Sequence, residues 1–237
     1  MGAGVGSAAV RLPLLVTGAV ALATLAACGT APAAAPAFVP ATSAAASPAP
    51  SAAPSPSLSP SPSGYQGKYV YPVLGNTSYG HTHHDYPATD VMAKCGAQVV
   101  AAVDGVVLEV ERVNRYDPKK DDGALRGGLH ISILGDDGLR YYGSHFSAIE
   151  AGINPGVRVT AGQKIAKVGE TGLASACHLH FGISPVCART GDWWNRRGVI
   201  WPWKYLDSWK KGGQKSPVAE ITAWEKKNGC PTKPTAP

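Results

Sequence analysis

The first 64 residues lack most of what a folded domain needs. They contain no acidic residue, since the first is Asp85, and their only basic residue is Arg11. Phe38 is their only aromatic residue, and from residue 29 onward nearly every position is Ala, Pro, Ser or Thr. A segment of this composition cannot bury enough apolar surface to offset the entropy lost on ordering. One folded domain of ordinary size is therefore expected from residue 65 onward.

The leader also lacks a hydrophobic run suited to a permanent membrane span. Its apolar stretch at 12–27 is short and rich in alanine, and it follows a single positive charge. The stretch ends in Leu-Ala-Ala-Cys at 25–28, which resembles the lipobox of bacterial lipoproteins. The resemblance implies a signal peptide at 1–27, cleavage before Cys28 and a lipid on the Cys28 sulfur. An ordinary cleavage site next to a coincidental cysteine is the alternative.

Residues 28–64 are then expected to form a lipidated Cys28 followed by a disordered tether. A proline-rich chain extends by about 3.1 Å per residue, so the tether could reach on the order of 100 Å from the outer face of the cell membrane. Loss of Arg11 with the leader lowers the formal charge from +6 to +5, and a basic exported protein suits an anionic envelope. No nucleic-acid partner is expected for an exported chain, and a monomer is expected.

The cysteines lack the Cys-x-x-Cys pairs that are typical of a structural zinc site. Five cysteines are present, and four remain if Cys28 is lipidated. An even number in an oxidising compartment indicates disulfides, and four cysteines allow three pairings. The four are Cys95, Cys177, Cys187 and Cys230.

Short strands separated by glycine turns dominate the remaining sequence. Two valine-rich segments flank Asp104-Gly105, which predicts a hairpin. The strands are expected at 99–103, 106–110, 129–134, 139–142, 157–159, 164–168 and 178–184. This spacing predicts a mainly β fold, an antiparallel β-sandwich or β-roll. The C-terminal extension, 191–237, is expected to begin as a loop at 191–197 and then to form one or two short helices. Its tryptophans are expected to pack those helices onto the sheet, and stacking on sugars is the alternative.

Six of the seven histidines fall into three groups, which favours a metal site. Zinc binds imidazole nitrogen and carboxylate oxygen, and a catalytic zinc keeps an open position beside three protein ligands. In a strand, His178 and His180 point to the same face, so one can bind a metal while the other handles a proton. The seventh histidine, His130, stands alone in a strand and is interpreted as structural. The groups are His81, His83 and His84; His145; and His178 with His180.

The segments around these histidines resemble the lysostaphin-like, or LytM-type, family of peptidoglycan zinc endopeptidases. The resemblance covers most of residues 69–184. It rests on Val-Gly-Glu-Thr-Gly at 168–172, His-Leu-His-Phe at 178–181, Tyr-Gly-Ser-His at 142–145, and the register that follows Asp90. It implies a domain at 65–190 with an open groove, one Zn²⁺ as cofactor, and hydrolysis of peptide cross-links in peptidoglycan. By the resemblance, Asp90 and His180 are zinc ligands, while His145 and His178 assist catalysis.

The first zinc-binding histidine departs from the family pattern His-x-x-x-Asp. The only literal match begins at His81, yet the downstream register fixes Asp90 as the aspartate. An even separation places His84 and Asp90 on one face of a strand, but full extension would hold them about 20 Å apart. Tyr86-Pro87 could supply the necessary bend. The preferred ligand is His84, and the alternatives are His83 and His81.

The resemblance also implies a division of catalytic roles. Neither the family nor this chain has the glutamate of a His-Glu-x-x-His motif, so the histidines must move the protons. His178 is expected to act as general base toward the attacking water, and His145 to donate to the developing oxyanion; the exchange of these two roles is the alternative. A catalytically inert relative that binds peptidoglycan or activates another hydrolase is the alternative function.

The disulfide pairing follows from the same implied zinc site. If Asp90 and His180 share one zinc on neighbouring strands, Cys95 and Cys177 lie near the same end of that strand pair. Cys187 would then hold the C-terminal segment through Cys230. The expected pairs are Cys95–Cys177 and Cys187–Cys230.

Overall fold

Ten strands and three short helices make up residues 65–234, the part of the chain that the computed structural model describes. The strands are β1 Thr77–Ser78, β2 Thr89–Ala93, β3 Gln98–Val100, β4 Gly105–Glu111, β5 His130–Gly135, β6 Leu139–Ser144, β7 Phe146–Ile149, β8 Arg158–Val159, β9 Lys164–Val168 and β10 His178–Pro185. The helices are α1 Trp193–Arg196, α2 Trp203–Trp209 and α3 Val218–Asn228. The predicted signal peptide, the lipidated Cys28 and the linker to residue 64 lie outside the described residues.

Two antiparallel sheets share one hydrophobic core. The larger has the strand order β1-β2-β10-β6-β5-β4-β8, and the smaller has the order β3-β9-β7. Side chains from both sheets are fully buried in the same cluster, among them Val91, Val168 and Ile183. The mainly β fold class expected from the sequence is therefore confirmed. Among residues 65–234, no helix has the length and apolar character needed to cross a membrane.

The hairpin predicted around Asp104 and Gly105 does not form. β3 pairs with β9 in the smaller sheet, whereas β4 pairs with β5 and β8 in the larger one. The chain crosses between the sheets through the buried residues 101–103. Gly105 lacks the positive φ that a two-residue type I′ turn requires. A glycine is needed there because an added Cβ would collide with the carbonyl oxygen of Leu134 on β5.

The C-terminal extension is more helical than the sequence indicated. Three helices occur in its described part, where one or two were expected, and the segment interpreted as a loop contains α1. The fully buried Arg140 on β6 forms an ion pair with Asp192 at 2.6 Å, and this holds the start of the extension against the large sheet. Trp209 on α2 is buried and stacks on Tyr69 at 5.2 Å between ring centroids, so this tryptophan packs into the core.

Two disulfides close the ends of the fold, and they are the two pairs expected from the sequence. Cys95 bonds Cys177, which joins the chain after β2 to the residue before β10. Cys187 bonds Cys230, which ties the residues after α3 to the residues after β10. Both bonds therefore connect segments that flank β10.

Replacing both Cys95 and Cys177 with serine is expected to lower the free energy of unfolding by about 2–4 kcal/mol, because the bond closes a long loop in the unfolded chain. Urea unfolding of the metal-free variant and parent measures the difference. Reduction of the parent should cost more, since it also opens Cys187–Cys230. A variant as stable as the parent would show that the sheet alone fixes the ends of β2 and β10.

Candidate active site

The pairing of β2 with β10 places the central residues of the site. In this register Asp90 lies directly opposite His180, and His178 lies opposite Met92 two residues away. Because side chains alternate along a strand, His178 and His180 share one face of the large sheet. The side chain of His180 reaches Asp90, with Nδ1 at 3.0 Å from Oδ1. The Asp90 and His180 side chains thus meet, as the sequence-based hypothesis required.

The third residue of this cluster is His83. Its Nε2 lies 3.6 Å from Asp90 Oδ1, and ligand atoms of His83, Asp90 and His180 all lie within 4.8 Å of one another. His84 is exposed and outside this group, with its ring centroid 5.1 Å from that of His83. His81 is also exposed, stacked on Trp203 with 4.0 Å between ring centroids.

The alternation of side chains along a strand, which favoured His84, does not extend to this point of the chain. β2 begins only at Thr89, so the residues between His84 and Asp90 are not part of a strand. The His83 ring instead turns back on its own loop, where Nδ1 lies 3.1 Å from the carbonyl oxygen of Tyr86. The structure therefore brings His83 to Asp90 and leaves His84 in solvent.

Backbone carbonyls determine which nitrogen of each ring carries the proton. A carbonyl oxygen only accepts, so His83 donates from Nδ1 to Tyr86, and His180 donates from Nε2 to Arg197 at 2.9 Å. In the neutral rings, the lone pairs of His83 Nε2 and His180 Nδ1 then face Asp90. Such carbonyl partners are the usual means of orienting metal-binding histidines.

The charge on Asp90 supports the same interpretation. Burial would raise the pKa of Asp90, but hydrogen bonds and charge interactions with His180 and His83 lower it well below its ordinary value. The carboxylate is therefore ionised, and two nitrogen lone pairs facing it are stable only with a proton or a cation between them. Tetrahedral zinc with bonds of about 2.0–2.1 Å places neighbouring ligand atoms roughly 3.4 Å apart. The observed separations of 3.0 and 3.6 Å fit such a site.

His145 and His178 lie beside the cluster with their rings 4.6 Å apart, centroid to centroid. His145 follows β6 and has a positive φ of 65°, which is strained for a non-glycine residue. Its Nδ1 donates to the carbonyl of Thr171 at 2.7 Å, and Nδ1 of His178 donates to Ala176 at 2.8 Å. In the neutral rings, each Nε2 keeps a lone pair.

The protonation state of His145 limits what it can do first. Burial and the charge of His180 lower the pKa of His145 to about 3, against the hydrogen bond to Thr171. His145 is therefore neutral at neutral pH, and its Nε2 accepts a proton before it can donate one. His145 can thus act as a base, and any donation from it to an oxyanion follows proton uptake.

The cluster opens into a cleft of about 360 Å³ whose walls include residues that were not predicted from the sequence to line the site. Tyr86 comes from the loop before β2, and Trp193, Arg196 and Arg197 come from the C-terminal extension. The tryptophan-rich run with two adjacent arginines was visible in the sequence, but nothing there indicated that it returns to the histidines. His130 lies outside this cleft, buried, with Nδ1 donating to Gly128 at 3.0 Å.

Two histidines and an aspartate converge beside two further histidines in a mainly β domain, an arrangement suited to a catalytic metal with proton-transfer groups next to it. Residues 84–191 match the model of peptidase family M23. The match covers somewhat less than half of the chain, so the assignment to this family applies to residues 84–191. The match begins one residue after His83 and ends where the C-terminal extension starts.

Several solved structures are similar to the chain. A putative glycyl-glycine endopeptidase LytM of Ruminococcus gnavus is 21% identical, with 63% of each chain covered and a TM-score of 0.47. The lysostaphin catalytic domain of Staphylococcus simulans is 27% identical, with 61% of this chain and 91% of that one covered and a TM-score of 0.40. A zinc-containing peptidase from Vibrio cholerae is 24% identical, with 49% of this chain and 36% of that one covered and a TM-score of 0.37.

The matched region spans less than two thirds of the Ruminococcus gnavus and Vibrio cholerae chains. A search among curated protein sequences gives no match. Because all three likenesses are partial, the family assignment rests on the family model.

Proposed function

We propose that this protein is an exported zinc metalloendopeptidase that hydrolyses peptide cross-links of bacterial peptidoglycan. The convergence of ligand atoms from His83, Asp90 and His180 within 4.8 Å carries the proposal. His145 and His178, two histidines with basic nitrogens, lie beside that cluster in the same cleft. A site for metal storage alone would not need this second pair.

Zinc held by His83, Asp90 and His180 would polarise the scissile carbonyl and lower the pKa of the attacking water. The chain's own contribution is proton transfer and orientation. Nε2 of His178, at 3.7 Å from Asp90 Oδ1, is the base nearer to the cluster and takes the proton of the water. The carbonyls of Ala176 and Thr171 hold the two rings in the tautomer that this role requires.

Peptidoglycan as the substrate is supported by the family and by the names of similar proteins. These include a putative glycyl-glycine endopeptidase and lysostaphin, which is described as an antimicrobial peptidase. The leader, the lipidation motif at Cys28 and the proline-rich linker support a place on the outer face of the cell membrane, with the peptidase domain reaching into the cell wall. The bond that is cut within the peptides is a matter for product analysis.

The decisive experiment combines metal content with digestion. The purified protein is expected to contain about one zinc per chain and to release new amino termini from isolated peptidoglycan, and mass spectrometry of the products names the bond. His180→Ala should lose both properties. Zinc without cleavage would favour an inert peptidoglycan-binding or hydrolase-activating protein, and retention of both properties by His180→Ala would refute the proposed site.

A further inference from the structure

The C-terminal extension contacts His180 directly and contacts Tyr86, the hydrogen-bond partner of His83. These contacts lie beyond the family match, which ends at residue 191. We infer that Arg197 is a positioning residue for the metal site, acting on His180 through its backbone carbonyl and on His83 through Tyr86. The inference rests on the proposed function, since it concerns the same site. It assigns the extension a role in metal affinity as well as in packing.

The extension contacts His180 directly. The Arg197 carbonyl oxygen lies 2.9 Å from His180 Nε2, and this hydrogen bond directs Nδ1 toward Asp90. Close packing fixes the carbonyl in place, because an added Cβ on Gly182 of β10 would collide with it. Gly198, with a φ of 128°, makes an equally close approach to the carbonyl of Pro87. The extension is therefore wedged between β10 and the loop that carries His83.

The extension also contacts Tyr86, the residue that orients His83. The Arg197 guanidinium carbon lies 3.9 Å from the Tyr86 ring centroid, within the range of a cation–π interaction. The centroids of the Tyr86 and His83 rings lie 4.6 Å apart, and the Tyr86 carbonyl accepts a hydrogen bond from His83 Nδ1. Arg197 thus holds the residue that fixes both the position and the tautomer of His83.

The extension is anchored strongly enough to serve this purpose. Asp192, five residues before Arg197, forms the buried ion pair with Arg140 and also accepts from the backbone N–H of Ala188 at 3.2 Å. The Cys187–Cys230 bond ties the extension to the segment that follows β10. Loss of an outer partner of a metal-binding histidine typically weakens metal binding 10–100-fold.

Zinc affinity, measured by competition with a chromophoric chelator, tests the inference. Arg197→Ala keeps the carbonyl that accepts from His180 and removes the side-chain contact with Tyr86, so it is expected to raise the zinc dissociation constant by roughly 2- to 30-fold, the size of one cation–π interaction. Arg197→Lys should recover part of this loss because lysine keeps a cation for Tyr86. Gly182→Ala, whose Cβ would displace the Arg197 carbonyl, tests the contact with His180 and is expected to raise the dissociation constant at least about 10-fold.

Arg112→Ala is the control for the loss of an arginine. Its guanidinium donates to the carbonyls of Ile149 and Ile153, outside the cleft, so its loss should leave the zinc dissociation constant unchanged.

A double-mutant cycle separates positioning from general damage. The effect of Arg197→Ala on zinc affinity should shrink in a Tyr86→Leu background, because part of it passes through the Tyr86 ring. If Arg197→Ala does not fold, Arg197→Met, which keeps the aliphatic stem, takes its place in the cycle. A parent that binds no zinc would refute the proposed function. A parent that binds zinc tightly, with Arg197 variants equally tight, would refute this inference alone.

Discussion

Replacing His83 with alanine is expected to abolish stoichiometric zinc binding and to lower peptidoglycan cleavage by roughly 1,000-fold or more. The replacement removes one of three converging ligand atoms and leaves only Asp90 and His180. A metal that supplies several kcal/mol of transition-state stabilisation accounts for an effect of this size, since each 1.36 kcal/mol is a factor of ten. Zinc content after dialysis and the release of amino termini are the two measurements.

The adjacent His84 provides the matched control. It has the same chemistry and the same place in sequence, but it is exposed and lies outside the cluster. His84→Ala should keep one zinc per chain and change cleavage only modestly, through its position at the mouth of the cleft. The reverse result, with zinc lost from His84→Ala and kept by His83→Ala, would show that the bound form uses a different loop conformation.

The parts of the site that lie on strands could be predicted from the sequence. Asp90 and His180 were expected on neighbouring strands, and they are direct partners in the ladder between β2 and β10. The alternation of side chains is a strict geometric rule, so two histidines at 178 and 180 must share a face. The order of the glycine turns likewise gave most of the strands between 129 and 184.

The parts that depend on irregular backbone could not be predicted in this way. His83, and not His84, reaches Asp90. Its ring is oriented by a hydrogen bond to the Tyr86 carbonyl within a loop, where no strand or helix periodicity applies. The failure at Asp104-Gly105 has a similar cause. A dipeptide typical of hairpins is instead placed where the chain changes sheets and needs a close approach to Leu134.

The contact between the extension and the site could not be predicted for a different reason. Every residue has a backbone carbonyl, so the sequence does not show which of them accepts a hydrogen bond from a histidine. The Arg197 carbonyl reaches His180 only because Gly182 leaves room for it. The cleft wall is therefore made by residues that are distant in sequence from the histidines. Only the folded chain shows that the tryptophan-rich segment borders the site.

Replacing His178 with alanine is expected to separate catalysis from metal binding. His178 is not among the three converging residues, so the variant should keep about one zinc per chain. Loss of a general base typically costs 10²- to 10⁴-fold, and cleavage of peptidoglycan should fall by that amount. His145→Ala should behave similarly, since its ring lies 4.6 Å from that of His178.

The double variant tests whether the two histidines form one proton-transfer unit. If the two rings handle the same proton in one relay, the double variant should be little worse than the more damaged single variant. Independent roles would make the two losses multiply. His81→Ala, exposed and paired with Asp207, controls for the general loss of a histidine. Loss of zinc from His178→Ala would overturn the division of roles, because His178 Nε2, at 3.7 Å from Asp90, would then belong to the metal site itself.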